Sequence, residues 1–222
     1  MKAVELAKAY DPKEFEDRIY ESWLAEGHFL PAAPNGKKPF VMVMPPPNVT
    51  GVLHMGHGLN NSMPDILIRY HRMCGEPTLW VPGTDHAGIA TQNVVEKKLK
   101  AKGIDRRDLG REMFVEETWK VANEHHDVIK QQLEKIGSSC DWSRERFTLD
   151  EGLSKAVRDV FVTLYERGLV YKGEYLVNWC PSCGTALSDD EVDHTDEAGA
   201  MYHIRYPRSE EHTSELQSPN TI

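Results

Sequence analysis

Two histidines flank a glycine in His54-Met55-Gly56-His57, and farther along a lone carboxylate, Asp85, stands in Pro82-Gly83-Thr84-Asp85-His86. If a helix opens at His54, imidazoles three residues apart project from nearly the same face. They then sit beside backbone N–H groups that lack intrahelical partners, at the positive end of the helix dipole. Such a mouth receives a polyphosphate. Gly56, with no side chain, lets a flat adenine or ribose lie against the backbone. Asp85 can hold a ligand's ammonium group through charge-assisted hydrogen bonds, or it can cap the helix that follows. Taken alone, the His-x-Gly-His spacing also fits two incidental histidines or half of a metal site.

These residues need elements to position them. Phe40 to Met44 reads as a short apolar strand, and Thr78 to Val81 as a second, with a helix between them. In an open parallel sheet, ligands bind outside the carboxyl ends of the strands, and the polar clusters at 45–57 and 83–86 both fall at such ends. Pro45, Pro46 and Pro47 end the first strand and stiffen the loop. The stripe Leu59, Met63, Ile66, Leu67, Tyr70 and Met73 predicts a helix packed on the sheet, kinked but unbroken at Pro64 and stopped at Gly75. Asp11 before Pro12 predicts a capped short helix through Trp23. Phe114, Ala122, His125, Ile129, Leu133 and Ile136 mark a long helix within 108–136, ended by Gly137. On it, His125 and His126 read as an incidental pair. Thr148 to Glu151 resembles a capping box, opening a helix whose Leu153, Val157, Val160, Phe161 and Leu164 pack inward. Further strands are expected at 175–179 and 201–206.

Composition narrows the classes. The 222 residues are 40% hydrophobic, enough for a real core, and the net charge is −9, without the basic stripe that phosphate backbones require. No Gly-x-Gly-x-x-Gly follows the first strand and no Gly-Lys-Ser/Thr phosphate loop occurs, which disfavours dinucleotide enzymes and P-loop NTPases. With no membrane-length apolar run and no signal-peptide centre, a cytoplasmic protein is expected. Cys180 and Cys183 in Cys-Pro-Ser-Cys-Gly make half of a tetrahedral zinc site, or a redox pair if no further ligands join them. His194 is distant and acidic in its surroundings, a poor third ligand. Cys74 and Cys140 are isolated thiols.

PPPNVTGVLHMGH at 45–57, followed by RYHRMCGEPTLWVPGTDHAGIATQNVVE at 69–96, resembles the valyl-tRNA synthetases. They belong to the class I aminoacyl-tRNA synthetases, whose first signature is a His-x-Gly-His turn. The resemblance runs from Ala9 to Pro207. It implies an α/β fold in which residues 1–36 are a helical extension and 37–172 the first half of a Rossmann-like, parallel-sheet nucleotide-binding domain. Residues 173–207 would then carry the Cys-x-x-Cys knuckle and lead into an inserted editing domain that the chain does not include. The resemblance also implies ATP with Mg2+, valine and tRNA(Val) as partners, a monomeric parent enzyme and no membrane. It places His54, Gly56 and His57 on ATP, Asp85 on the valine amino group, and Pro46 and Asn48 beside the valine side chain. Members that keep the knuckle have a second cysteine pair farther along, so structural Zn2+ is expected of the intact parent and only weak binding of these 222 residues. The lysine-rich second signature is absent, so the chain alone should be nearly inactive. Two alternatives are an isoleucyl or leucyl sister enzyme, and a non-catalytic nucleotide- or zinc-binding module. The tail 208–222 matches nothing expected there. Arg208 to Ser218 is what one frame of a common short-read sequencing adapter would encode, and the tail is expected to be non-native.

Overall fold

Four apolar residues, Phe40–Val43, form strand β1, which pairs in parallel with β2, Thr78–Val81, so that Met42 lies opposite Trp80. The computed structural model that shows this describes residues 9–204, in two units, one ending at Val170 and one beginning at Tyr171. The tail from 208 lies outside the described residues. Helix α2, Met55–Met73, connects β1 to β2. Immediately after β2 the chain forms β3, Gly83–Thr84, parallel to a late strand β4, Arg146–Phe147. A Cβ on Gly83 would stand 2.9 Å from the carbonyl oxygen of Arg146, so this close strand approach demands glycine.

Between β3 and β4 run α3 (Ile89–Ala101), α4 (Arg106–Leu109) and α5 (Arg111–Lys135). The long helix begins at Arg111, inside the expected span from 108, because Gly110 at φ 80° breaks the chain between α4 and α5. Gly137 at φ 78° ends it, as expected. Ala122, Ile129 and Leu133 of α5 meet Ile68 of α2 over Met44, Val49, Trp80 and Cys140, with Phe40 and Met42 packed against them. Burying a side chain such as Ile68 or Ile129 completely contributes about 1.5–3 kcal/mol. A second cluster of Val95, Leu99 and Val121 ties α3 to α5.

Helix α1, Pro12–Ala25, opens as its sequence predicts, with the Asp11 carboxylate accepting from the Lys13 N–H. It is held to the body by Tyr20, whose hydroxyl donates to the Ser138 carbonyl (2.8 Å) and accepts from the Trp142 indole (2.8 Å). The Arg69 guanidinium lies over the Trp23 ring at 5.1 Å.

Two apolar stripes do not go where the pattern sends them. Helix α2 continues unbroken through Pro64, but Leu59, Met63, Ile66, Leu67, Tyr70 and Met73 are exposed. The face turned inward carries Asn61 and Ile68, together with a charged network. Asp65 accepts from the Ser139 N–H and from Arg69, while Arg72 donates to the Ser139 and Phe29 carbonyls. These bonds satisfy the chain that follows α5, and they fix the rotation of α2 at the expense of its apolar side. On α6 (Glu151–Glu166) Val157, Val160 and Phe161 are likewise exposed, and none of its residues is fully buried.

In the second unit β5, Asn178–Cys180, pairs antiparallel with β6, Thr185–Leu187. The strand starts later than expected, and residues 201–204 form none. Among the described residues no helix is long and apolar enough to cross a membrane.

Candidate active site

At the carboxyl end of β1 the chain leaves Met44 and passes through the three prolines. There its backbone pairs with the loop after β3. The Asp85 N–H donates to the Pro47 carbonyl and the Val49 N–H to the Asp85 carbonyl, both at 2.9 Å, so Asn48 and Asp85 form a parallel bridge. Proline at 47 costs nothing here, since only its carbonyl is used. The pairing joins the two polar loops over the strand ends. It sets Asn48 beside Asp85, with Pro46 one residue outside the bridge and exposed.

The outgoing half of this loop is held from α5. The His125 ring donates through Nδ1 to the Val49 carbonyl (2.9 Å), and the Leu53 N–H donates to Gln132 Oε1 (2.8 Å). His125 is therefore a strut for the proline loop rather than an incidental residue. In the sequence a histidine seven residues before Gln132 signals nothing until the loop is laid across both. His126 faces another way, on Glu145 at 2.9 Å, and this hydrogen bond raises its pKa above the ordinary histidine value.

His54 is the N-cap of α2. Its Nδ1 accepts from the Gly56 N–H (3.1 Å), and His57 Nδ1 accepts from the His54 N–H (3.3 Å), a capping box built from two imidazoles. The ring centroids are 4.0 Å apart. The helix mouth is thus not lined with bare amides, as the sequence reading expected, because two of its N–H groups are taken by the rings. A nitrogen that accepts carries no proton, so in both neutral rings the proton sits on Nε2, the atom not committed to the backbone. Burial first, and then repulsion from His54, lower the His57 pKa, which favours this neutral form.

Gly56 has a role the sequence reading did not foresee. A Cβ there would lie 2.9 Å from His54 Cε1 and 3.1 Å from Nδ1, so the missing side chain makes room first for the capping ring. Gly56→Ala is expected to displace that ring and lower the stability of the chain by about 1 kcal/mol, the usual worth of a cap, read as a lower midpoint in thermal denaturation.

Asp85 does not cap α3, whose N-cap Gly88 has no side-chain partner. Asp85 Oδ1 instead accepts from the Thr148 hydroxyl at 3.0 Å and lies 3.3 Å from the His86 ring. The Asp85 side chain remains about a third exposed. Thr148 does not open α6 either, since Asp150 is its N-cap and takes the Leu153 N–H at 2.8 Å. A cavity of about 270 Å³ adjoins His86, walled by Phe114, Trp119 and Phe147. A larger one of about 710 Å³ lies between α1 and the end of α5 and contains none of these site residues.

Cys180 ends β5 and Cys183 lies on the turn that joins it to β6. The Cys183 N–H donates to Cys180 Sγ at 3.4 Å, and this backbone bond lowers the Cys180 pKa. A thiol biased toward thiolate is suited to a soft metal. Among the described residues no group of three or more His, Cys, Asp or Glu is placed to hold one, and His194 does not join the pair. Cys140 is buried, which raises its thiol pKa, while Cys74 is exposed.

A βαβ unit thus opens its helix on paired histidines, with a carboxylate on the adjoining loop, at the carboxyl ends of two parallel strands. The family model for class I tRNA synthetases (I, L, M and V) matches residues 18–207, and the chain belongs to that family. Within it the chain is similar to the valine–tRNA ligase of Treponema denticola, 66% identical over 207 residues, covering 93% of this chain and 23% of that protein. The valine–tRNA ligase of Desulfotalea psychrophila is 59% identical over 202 residues, covering 91% and 23%. The chain therefore spans a little under a quarter of the length of these relatives. Among solved structures, a LeuRS of Agrobacterium radiobacter in a ternary complex with tRNA and LeuAMS matches with a TM-score of 0.69 at 24% identity, over 83% of this chain and 22% of that one. That likeness supports the mixed α/β class I fold with small parallel sheets.

Proposed function

We propose that the chain is the ATP- and amino-acid-binding part of a valine–tRNA ligase. The parent enzyme joins valine and ATP into valyl-adenylate and pyrophosphate, then passes valine to the terminal ribose of tRNA(Val). The observation that carries this reading is the backbone bridge between Asn48 and Asp85, which ties the loop bearing the Asp85 carboxylate to the loop that leads into the histidine cap. Identity of 66% to a valine–tRNA ligase supports the choice of amino acid.

The first step is an in-line attack by the valine carboxylate on the α-phosphate, which depends on positioning and on charge stabilisation and needs no enzyme nucleophile. His54 and His57 donate Nε2–H bonds to phosphate oxygens, and Gly56 keeps the mouth of α2 open to the nucleotide. These two donors would oppose the phosphate charge together with an ATP-bound Mg2+. Asp85 receives the valine ammonium, while Pro46 and Asn48 border the isopropyl group. A valine-shaped pocket cannot strongly reject isosteric threonine, and valyl enzymes are themselves the usual illustration of that limit. Editing by a domain outside this chain answers it. Cys180 and Cys183 would supply two thiolates to a structural Zn2+ whose other ligands lie outside the described residues, and the parent works as a cytoplasmic monomer.

ATP–pyrophosphate exchange tests the reading. The full-length enzyme should support exchange with valine at far lower concentration than with isoleucine or leucine, and this chain alone should give almost none. Preference for isoleucine or leucine would reassign the amino acid, and family-like turnover by the 222 residues would refute a site completed from elsewhere.

A further inference from the structure

We infer that Thr148 is the positioning residue for amino-acid recognition, holding the Asp85 carboxylate so that one of its oxygens stays open to the ligand's ammonium. The inference rests on the role proposed above for Asp85. A threonine hydroxyl has one proton to give and two lone pairs to receive with. With the His86 ring proton on Nδ1, all three are assigned at Thr148. The oxygen accepts from the His86 N–H at 2.9 Å and meets His86 Nδ1 at 2.5 Å, which leaves its proton for Asp85 Oδ1 at 3.0 Å.

With both lone pairs engaged by His86, the hydroxyl cannot rotate to another acceptor, and the hydrogen bond to Asp85 has a fixed direction. Oδ1 is thereby occupied, by Thr148 and by the His86 ring beside it. Oδ2 has no protein donor among the described residues, and the side chain is accessible enough to be reached. The backbone of Thr148 is itself anchored, its N–H donating to the Thr84 carbonyl at the end of the β3–β4 pair, and its β-branched side chain is stiff at χ1. The hydroxyl has no competing duty, because Asp150 caps α6. An arm from β4 thus reaches across to a carboxylate on the β3 loop and sets its orientation before any ligand arrives, which lowers the cost of binding.

The test uses the full-length enzyme with Thr148→Val, nearly isosteric but without the hydroxyl, and Thr148→Ser, which keeps it. Thr148→Val should raise the KM for valine about tenfold, the scale of one lost hydrogen bond to a charged group. The KM for ATP and kcat should hardly move, and Thr148→Ser should restore the valine KM. The inhibition constant of 3-methylbutanoate, valine without its amino group, should be unchanged in Thr148→Val. An unchanged valine KM, or equal weakening of valine and 3-methylbutanoate, would overturn the inference. If the valine variant does not fold, Thr148→Ala removes the same hydroxyl without crowding and is judged by the same criteria. Asp85→Asn measured alongside separates the two readings. If it raises the valine KM while Thr148→Val does not, only the present inference falls, and if it too is silent, the role of Asp85 falls with it.

Discussion

Replacing Asp85 with asparagine in the full-length enzyme is expected to raise the KM for valine about a hundredfold while leaving the KM for ATP nearly unchanged. The amide keeps the shape of the carboxylate and an acceptor for the Thr148 hydroxyl, so the loop geometry should survive. What it loses is the negative charge that faces the ligand's ammonium. A charge-assisted hydrogen bond contributes roughly twice a neutral one, and removing the charge leaves a desolvated ammonium without compensation, a loss of about 2–3 kcal/mol for a partly exposed pair. The exposure of the Asp85 side chain keeps the estimate below the larger figures for fully buried pairs. Pyrophosphate exchange at graded valine and fixed ATP reads the two constants separately. Equal increases in both would mean that Asp85 organises the whole cleft and does not contact the amino acid.

The elements that place Asp85 were legible where one signal decided the outcome. Phe40–Val43 and Thr78–Val81, separated by a helix-length segment, have the connection that a parallel pair needs, and they form one. Gly137 ends α5 at positive φ, as a glycine near a helix end does, whereas the break at Gly110 lies inside the span from 108 that the apolar pattern suggests. The apolar stripes were misassigned for a physical reason. Periodicity in α2 and α6 marks a side that water disfavours, but it does not name the segment that covers it, and this chain holds only part of the length of its relatives. In α2 the inward face was decided instead by Asp65, Arg69 and Arg72 bonding to the chain that follows α5.

The site shows the same division. His54, Gly56, His57 and Asp85 could be singled out because the segments that carry them resemble the synthetase motifs, although the His-x-Gly-His spacing alone is a weak signal. Thr148 and His125 could not, because each acts through a hydrogen bond across more than sixty residues of sequence. Locally Thr148 looks like a helix cap. Three residues later a glutamate completes the capping-box pattern, and only the competing cap at Asp150 releases the hydroxyl for Asp85.

The histidine cap allows the second large effect to be separated into parts. His54→Ala in the full-length enzyme removes both the acceptor that holds the Gly56 N–H and the Nε2 donor, whereas His54→Asn restores a good N-cap without a donor at the imidazole's reach. If the ring serves only the fold, asparagine should rescue activity along with stability. If it donates to phosphate, the chain's denaturation midpoint should recover with asparagine while exchange turnover stays down by about 10² to 10³, the range for one lost donor at a charge-developing oxygen. His57 adds a pH dependence whose sign follows from its depressed pKa. The unfolded chain takes a proton at this ring more readily than the folded one, so the stability held above pH 6.5, the ordinary histidine value, is lost as pH falls through the lower folded value. Protonation there also occupies Nδ1, which must accept from the His54 N–H. Acid should therefore loosen the cap and weaken ATP binding together, and His57→Gln should flatten the acid limb of both profiles, because an amide carbonyl accepts the same bond without titrating.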